Sequence, residues 1–118
     1  MGSSILTSVK KVCGVAELDT SFDVDLVLHI NSVLATLNQL GIGPSEGFAI
    51  EDATSLWEDF LDTDTRYNPA KTYVCLRVRL LFDPPSTSYL ITAHQDQIRE
   101  LEWRLNVLRE ETAWTAPV

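Results

Sequence analysis

The stretch from Tyr67 to Arg109 leaves this chain little choice of fold. It holds one helical pattern with no clean polar face, followed by a second that is too long to hide. Tyr67-Asn68-Pro69-Ala70-Lys71 leads into an apolar run from Thr72 to Phe82, which Asp83-Pro84-Pro85 ends. Pro69 suits a first helical position, where its missing N–H has no intrahelical partner, and Asn68 before it is a good N-cap. At about 100° per residue, Tyr73, Leu76 and Leu80 share one side. Val74 and Leu81 share a second, and Cys75, Val78 and Phe82 a third. A helix apolar on three sides is a buried one, so the spacing predicts a central helix around which the others pack. Arg77 and Arg79 fall in the gaps between those sides. Cations that are buried there need carboxylate partners, on the last helix or on a neighbouring subunit; the alternative is that both arginines belong to an ordinary salt-laced surface. The two prolines stop the helix, since neither donates an N–H and each disfavours the α region in the residue before it.

The last helix is predicted from Ser86 or Thr87 to about Glu111, on the order of 37 Å at 1.5 Å per residue. Ile91, His94, Ile98, Leu101, Leu105 and Leu108 form a seam at alternating three- and four-residue spacing, as in a coiled coil. Tyr89, Trp103 and Val107 lie on the opposite side. A small domain struggles to cover both faces, and an exposed apolar patch holding a Trp is an interface candidate. Thr112 to Val118, with Trp114 and Pro117, reads as a flexible tail until something binds it.

Before the central helix, Ser3 to Cys13 reads as a short helix. Ile5, Val9 and Val12 form its apolar side, Lys10 and Lys11 favour its C-terminal dipole, and Gly14 stops it. Thr20 and Asp23 have capping-box spacing at the start of a second helix from about Phe22 to Leu40. That helix carries a main stripe of Phe22, Leu26, Ile30, Val33, Leu37 and Leu40. A weaker stripe of Val24, Leu28 and Ala35 suggests more than one neighbour; Asn31 and Asn38 between the stripes read by default as solvent-exposed, with hydrogen-bonded contact residues as the alternative. Gly41 to Thr54 has three glycines and a proline and reads as a long irregular loop, of the kind that is functional or mobile. Phe48-Ala49-Ile50 within it could be briefly extended. Thr54 is a plausible cap for a short helix from Ser55 to Leu61, which would lay Leu56, Trp57, Phe60 and Leu61 on the core, and Asp62 to Thr65 is a polar turn. The expectation is a single all-α domain over residues 1–118, a bundle of about five helices with one long loop and a flexible end from about 112. At 118 residues such a domain buries roughly two thirds of its unfolded surface.

Motifs for chemistry are missing. Gly41-Ile42-Gly43 follows no strand, and the sequence has no Cys-x-x-Cys and no His-Glu-x-x-His. His29 and His94 are on different helices, and His94 on the seam reads as a hydrogen-bonded core histidine. Asp59, Asp62 and Asp64 lack EF-hand spacing. No enzyme, metal or cofactor is expected. Cys13 and Cys75, on apolar positions at unrelated spacing, read as buried reduced thiols. No apolar run reaches the roughly 20 residues of a membrane span, and the N-terminus lacks a signal-peptide pattern. The net charge of −8 opposes tight binding to DNA phosphates, while allowing a wall past which DNA moves without sticking. Arg99 and Arg104 interleave with Asp96, Glu100 and Glu102, as on a salt-laced helix surface.

Several segments together resemble the small head–tail connector (adaptor) proteins of tailed bacteriophages. They are Phe22-Asp23, His29-Ile30-Asn31-Ser32, Leu37 to Pro44, Trp57-Glu58-Asp59-Phe60-Leu61, Lys71-Thr72-Tyr73-Val74, Leu80 to Pro85, and Glu100-Leu101-Glu102-Trp103-Arg104-Leu105. The Phe-Asp-Pro-Pro turn followed by Glu-x-Glu-Trp-Arg-Leu is the most specific part. The resemblance implies a non-enzymatic virion protein of the neck, assembled in the bacterial host cytoplasm. It implies a ring, twelvefold in the family, that sits beneath the portal, extends the DNA channel and receives stopper or tail components. The portal, the stopper or tail-completion protein and neighbouring copies would be its partners, with DNA passing unbound. Arg77, Arg79, Tyr89, Trp103, Arg104, Val107 and Trp114 are the candidate subunit and portal contacts. The alternatives are a tail-completion or stopper protein, and a small helical regulatory or nucleic-acid-binding module.

Overall fold

A computed structural model describes residues 4–44, 46–61 and 67–115, with side chains as far as residue 110. The chain is all-α: α1 (Ile5–Cys13), α2 (Asp23–Gln39), α3 (Trp57–Leu61), α4 (Asn68–Phe82) and α5 (Ser88–Thr115). The expected polar turn at residues 62–65 lies outside the described residues.

The run after Tyr67 forms the central helix. α4 packs against α1, α2 and α5, and Ala70, Tyr73, Val74, Cys75 and Val78 are buried. Leu76, Leu80 and Phe82 are half-buried, and Leu81, close to the open end, is exposed. The helix begins one residue earlier than the proline suggested. Asn68 is its first residue and Tyr67 sits at the cap, without a side-chain hydrogen bond.

α1 is capped by Ser4, whose hydroxyl accepts from Thr7 N–H at 3.2 Å, and Gly14 closes it at φ 77°, a left-handed conformation that favours glycine. Ile5, Leu6, Val9 and Cys13 face the core, whereas Val12 is exposed. Lys10 departs from its expected role at the helix dipole. It is only 3 % exposed, and its Nζ reaches Asp23 Oδ1 at 2.8 Å and donates to the Glu17 carbonyl at 3.0 Å. Asp23 is therefore taken by an ion pair that ties α1 to the start of α2. The expected capping box does not form: Phe22 occupies the cap with no side-chain hydrogen bond, and Thr20 contributes only its carbonyl, to Asp23 N–H.

α2 buries Leu26, Ile30, Val33, Leu34 and Leu37. The weaker stripe is left open by the described residues: Val24 is 74 % exposed, Leu28 63 %, and Ala35 is exposed too. Phe22 is partly exposed but sets its ring edge-on against Phe82, with centroids 5.4 Å apart, which brings the start of α2 to the end of α4.

The irregular 41–54 segment is anchored in the core by Ile42 and Ile50, both buried. Asn31 takes the hydrogen-bonded alternative rather than the solvent-exposed one and holds it: Asn31 Nδ2 donates to the Ile50 carbonyl at 3.0 Å, and Ile50 N–H donates to Asn31 Oδ1 at 2.8 Å. One side chain thereby satisfies both backbone groups of a residue that has no ladder partner. Phe48 packs on Phe60 at 5.4 Å, with no strand at 48–50. Trp57, Phe60 and Leu61 of α3 are buried, and Trp57 Nε1 donates to Ser8 Oγ at 3.0 Å. Thr54 does not cap this helix. Its N–H and hydroxyl bond to Asp52, while Asp59 accepts from Leu56 N–H at 3.0 Å.

Candidate docking surfaces

α5 carries an exposed apolar face of its own, besides the one on α2, because only one of its sides meets the rest of the chain. It begins at Ser88, where the Thr87 hydroxyl accepts from Leu90 N–H and the Thr87 carbonyl from Ile91 N–H. Its backbone stays helical to Thr115, past the expected end at Glu111. The region expected as a loose tail is thus helical over 112–115. The side chain of Trp114 and residues 116–118 lie outside the described residues. At about 1.5 Å per residue, the 28-residue helix is about 42 Å long, close to the 49 Å longest extent of the molecule.

Of the seam, Ile98, Leu101 and Leu105 are buried, while Ile91, His94 and Leu108 are half-buried. His94 is thus at the margin of the core. On the other side Tyr89 is 81 % exposed and Trp103 66 %, with Val107 also open to solvent. Arg104 beside Trp103 pairs with Glu100 one turn back, at 3.4 Å, and Arg99 pairs with Asp96 at 3.6 Å. Both are exposed pairs that contribute little to stability.

The polar link between α4 and α5 is a three-residue cluster. Tyr73 Oη donates to Glu102 Oε2 at 2.7 Å, and Arg77 Nη1 lies 3.0 Å from Tyr73 Oη and 3.4 Å from Glu102 Oε2. The guanidinium also lies 5.6 Å from the centre of the Tyr73 ring. Burial, and then the bond to Glu102, push the Tyr73 phenol up to about 12. Glu102 therefore faces α4 rather than pairing with Arg99 along its own helix. Arg77 and Arg79 have different environments. Arg79 turns toward α1 and donates to the Val12 carbonyl at 3.4 Å, not to a carboxylate on α5. It lies near Cys13, whose thiol is raised mainly by burial, against the opposing charge of Arg79. Cys75 is likewise free and buried, its thiol pushed up to about 11 by burial.

Two contacts that sequence spacing does not reveal shape the surroundings. The first joins the loop to the far end of α5. Gly41, at φ 85°, lies under the Arg109 side chain, where a Cβ would run into Arg109 Cδ. Arg109 in turn donates to Asn106 Oδ1 at 2.8 Å. The second is a groove of about 440 Å³ between α4 and α5, lined by Arg77, Leu80, Leu81, Gln95, Ile98, Arg99 and Glu102. Of the sequence-predicted contacts, Tyr89, Trp103, Arg104 and Val107 share the outer side of α5, Arg77 lies in the groove, and Arg79 lies apart on the α1 side.

Among the described residues no cluster of three or more His, Cys, Asp or Glu is placed to hold a metal ion, and no helix is long and apolar enough to cross a membrane. Comparison with known proteins gives no matching curated protein and no matching solved structure. A family described as phage connector protein matches residues 5–112, from the start of α1 into the last turn of α5. The chain therefore belongs to the phage connector protein family, a structural rather than enzymatic group whose place is the head–tail junction at the neck of the virion.

Proposed function

We propose that this chain is an adaptor subunit that assembles into a ring beneath the portal, lengthens the DNA channel and presents a platform to stopper or tail proteins. The observation that supports it most directly is the outer side of α5. Tyr89, Trp103 and Val107 are exposed on a helix whose other face is already used for the core. An exposed apolar patch rimmed by polar residues marks an interaction site, and Trp and Arg are favoured anchors of protein–protein contacts. Arg104, held only by an exposed pair, is free to exchange partners on docking. Arg77, Arg79 and Trp114 complete the proposed contact set, and the ring would be twelvefold as in related connectors. The net charge of −8 per copy makes an acidic channel past which DNA moves without being gripped. Assembly would take place in the host cytoplasm before the neck is completed.

The test uses Trp103→Ala and Arg104→Glu. Both are expected to keep the wild-type helical circular dichroism spectrum while weakening ring formation or portal binding at least tenfold. Loss of helix content without a selective assembly defect would show that these residues serve the fold and not the junction.

A further inference from the structure

We infer that the crevice between α1, α3 and α4 is a binding site for a small apolar carboxylate, of the kind of a short fatty acid or an arylalkanoate. The body of the ligand fills the crevice and Lys71 meets its charge. The site lies apart from the outer side of α5 and needs no second copy of the chain.

The walls come from three helices. α1 presents Ser8 and Val12, one turn apart, α3 presents Trp57, and α4 presents Lys71, Cys75 and Leu76. The enclosed space is about 300 Å³. Small-molecule pockets begin at about that size, and an apolar cavity of about 150 Å³ already takes benzene. Val12, Trp57, Cys75 and Leu76 make the lining mainly apolar. Val12 belongs to the side of α1 expected to face the core, yet it is 37 % exposed, and this crevice is what it borders.

The polar groups of the wall are already committed, so the shape is set before anything binds. Trp57 Nε1 donates to Ser8 Oγ at 3.0 Å, and Ser8 Oγ donates to the Ser4 carbonyl at 2.8 Å. These two bonds fix the indole and satisfy the hydroxyl. The Cys75 thiol, pushed up to about 11 by burial, stays neutral near pH 7 and does not repel an anion.

Charge selects the ligand. No Asp or Glu lines the crevice, and half-buried Lys71 pairs with no carboxylate among the described residues. Lys71 also stands in the first turn of α4, which holds no acidic residue, so the positive end of the helix dipole adds to its field. In a chain with 17 acidic and 9 basic residues, this is a cation left without a partner beside an apolar hollow. A carboxylate there gains a charge-assisted hydrogen bond while its hydrocarbon body leaves water. A neutral ligand gains only the second of these, and a small hydrophilic anion only the first.

The test titrates the full chain with octanoate, 1-octanol and acetate and follows backbone and indole N–H signals by NMR. Octanoate is expected to saturate, moving the signals of Ser8, Val12, the Trp57 indole and Cys75. Octanol, which has the same body, should bind about tenfold more weakly, the scale of one charge-assisted hydrogen bond. Acetate should not saturate. Lys71→Gln should keep the wild-type circular dichroism spectrum, lower octanoate affinity by about the same tenfold factor, and leave octanol unchanged. Val12→Phe, which fills the crevice from an exposed position, should lose both ligands. Equal affinity for octanoate and octanol, or wild-type octanoate binding by Lys71→Gln, would overturn the role of Lys71. Failure of octanoate to saturate, or shifts centred away from α1, α3 and the start of α4, would overturn the site itself.

Discussion

α4 and α5 have much the same kind of sequence and very different surroundings. Both carry apolar residues in more than one direction. α4 has α1, α2 and α5 around it and buries Tyr73 and Val74 completely. α5 has α4 on one side and solvent on the other, so Leu105 is 1 % exposed while Trp103, two residues earlier, is 66 % exposed. An apolar pattern thus states a demand for cover, and the number of neighbours decides whether the chain meets that demand itself. In α4 the surplus is spent on stability. In α5 and on the outside of α2 it is left for other molecules.

The most severe consequence belongs to α4. Tyr73→Ala removes a fully buried aromatic ring and, with it, the phenol that anchors Glu102. Replacing a core aromatic by alanine costs about 3–5 kcal/mol, a large share of the stability of a domain this size. Chemical denaturation should show that loss in full. A change below about 1 kcal/mol would mean that α4 is not the centre of the core.

The link between the loop and the end of α5 gives a smaller effect. Gly41→Ala adds a Cβ where Arg109 Cδ already lies, at a φ that L-residues disfavour. Positive φ in a non-glycine residue costs on the order of 1–3 kcal/mol, and Arg109 must move as well. The expected result is a destabilisation in that range, with faster amide exchange both at residues 41–50 and in the last turns of α5. Exchange that changes in the loop alone would show that the contact does not couple the two.

Much of this architecture is legible in the sequence, and the rest fails for a consistent reason. Local periodicity gives the five helices, the buried α4 and the two faces of α5, because each is decided within a few turns of chain. Pairings between distant segments are invisible to it. The Lys10–Asp23 ion pair removes a residue expected to cap α2. Asn31 lies on α2 at a position that reads as solvent, and only the return of the loop at Ile50 gives it a role. Glu102 follows Arg99 at helical spacing, yet Tyr73 and Arg77 take it across the interface. The exposed stripe of Val24 and Leu28 shows the same limit in reverse: spacing finds the stripe, but cannot tell that none of the described elements covers it.

The mildest prediction concerns pH, and it separates the two sides of α4. The Tyr73 phenol ionises at about 12 in the folded chain against an ordinary value of 10.0. Between those values the unfolded chain has lost this proton and the folded chain has kept it, so folding stability falls as pH rises through the interval. Below pH 10 both states hold the proton and the contribution is fully present. The buried thiols act in the same direction from a lower starting point, Cys75 being raised from 9.0 to about 11 and Cys13 raised as well. A stability profile for the wild-type chain should therefore slope downward from about pH 9 and steepen above 10. Tyr73→Phe should cost about 1 kcal/mol at neutral pH for the lost hydrogen bond, because Glu102 is open enough to regain water. It should also flatten the upper part of the slope and leave the thiol part unchanged. If both chains lose stability at the same rate above pH 10, the bond between α4 and α5 is not carried by the protonated phenol, and the apolar contacts of Ile98, Leu101 and Leu105 hold the long helix in place without it.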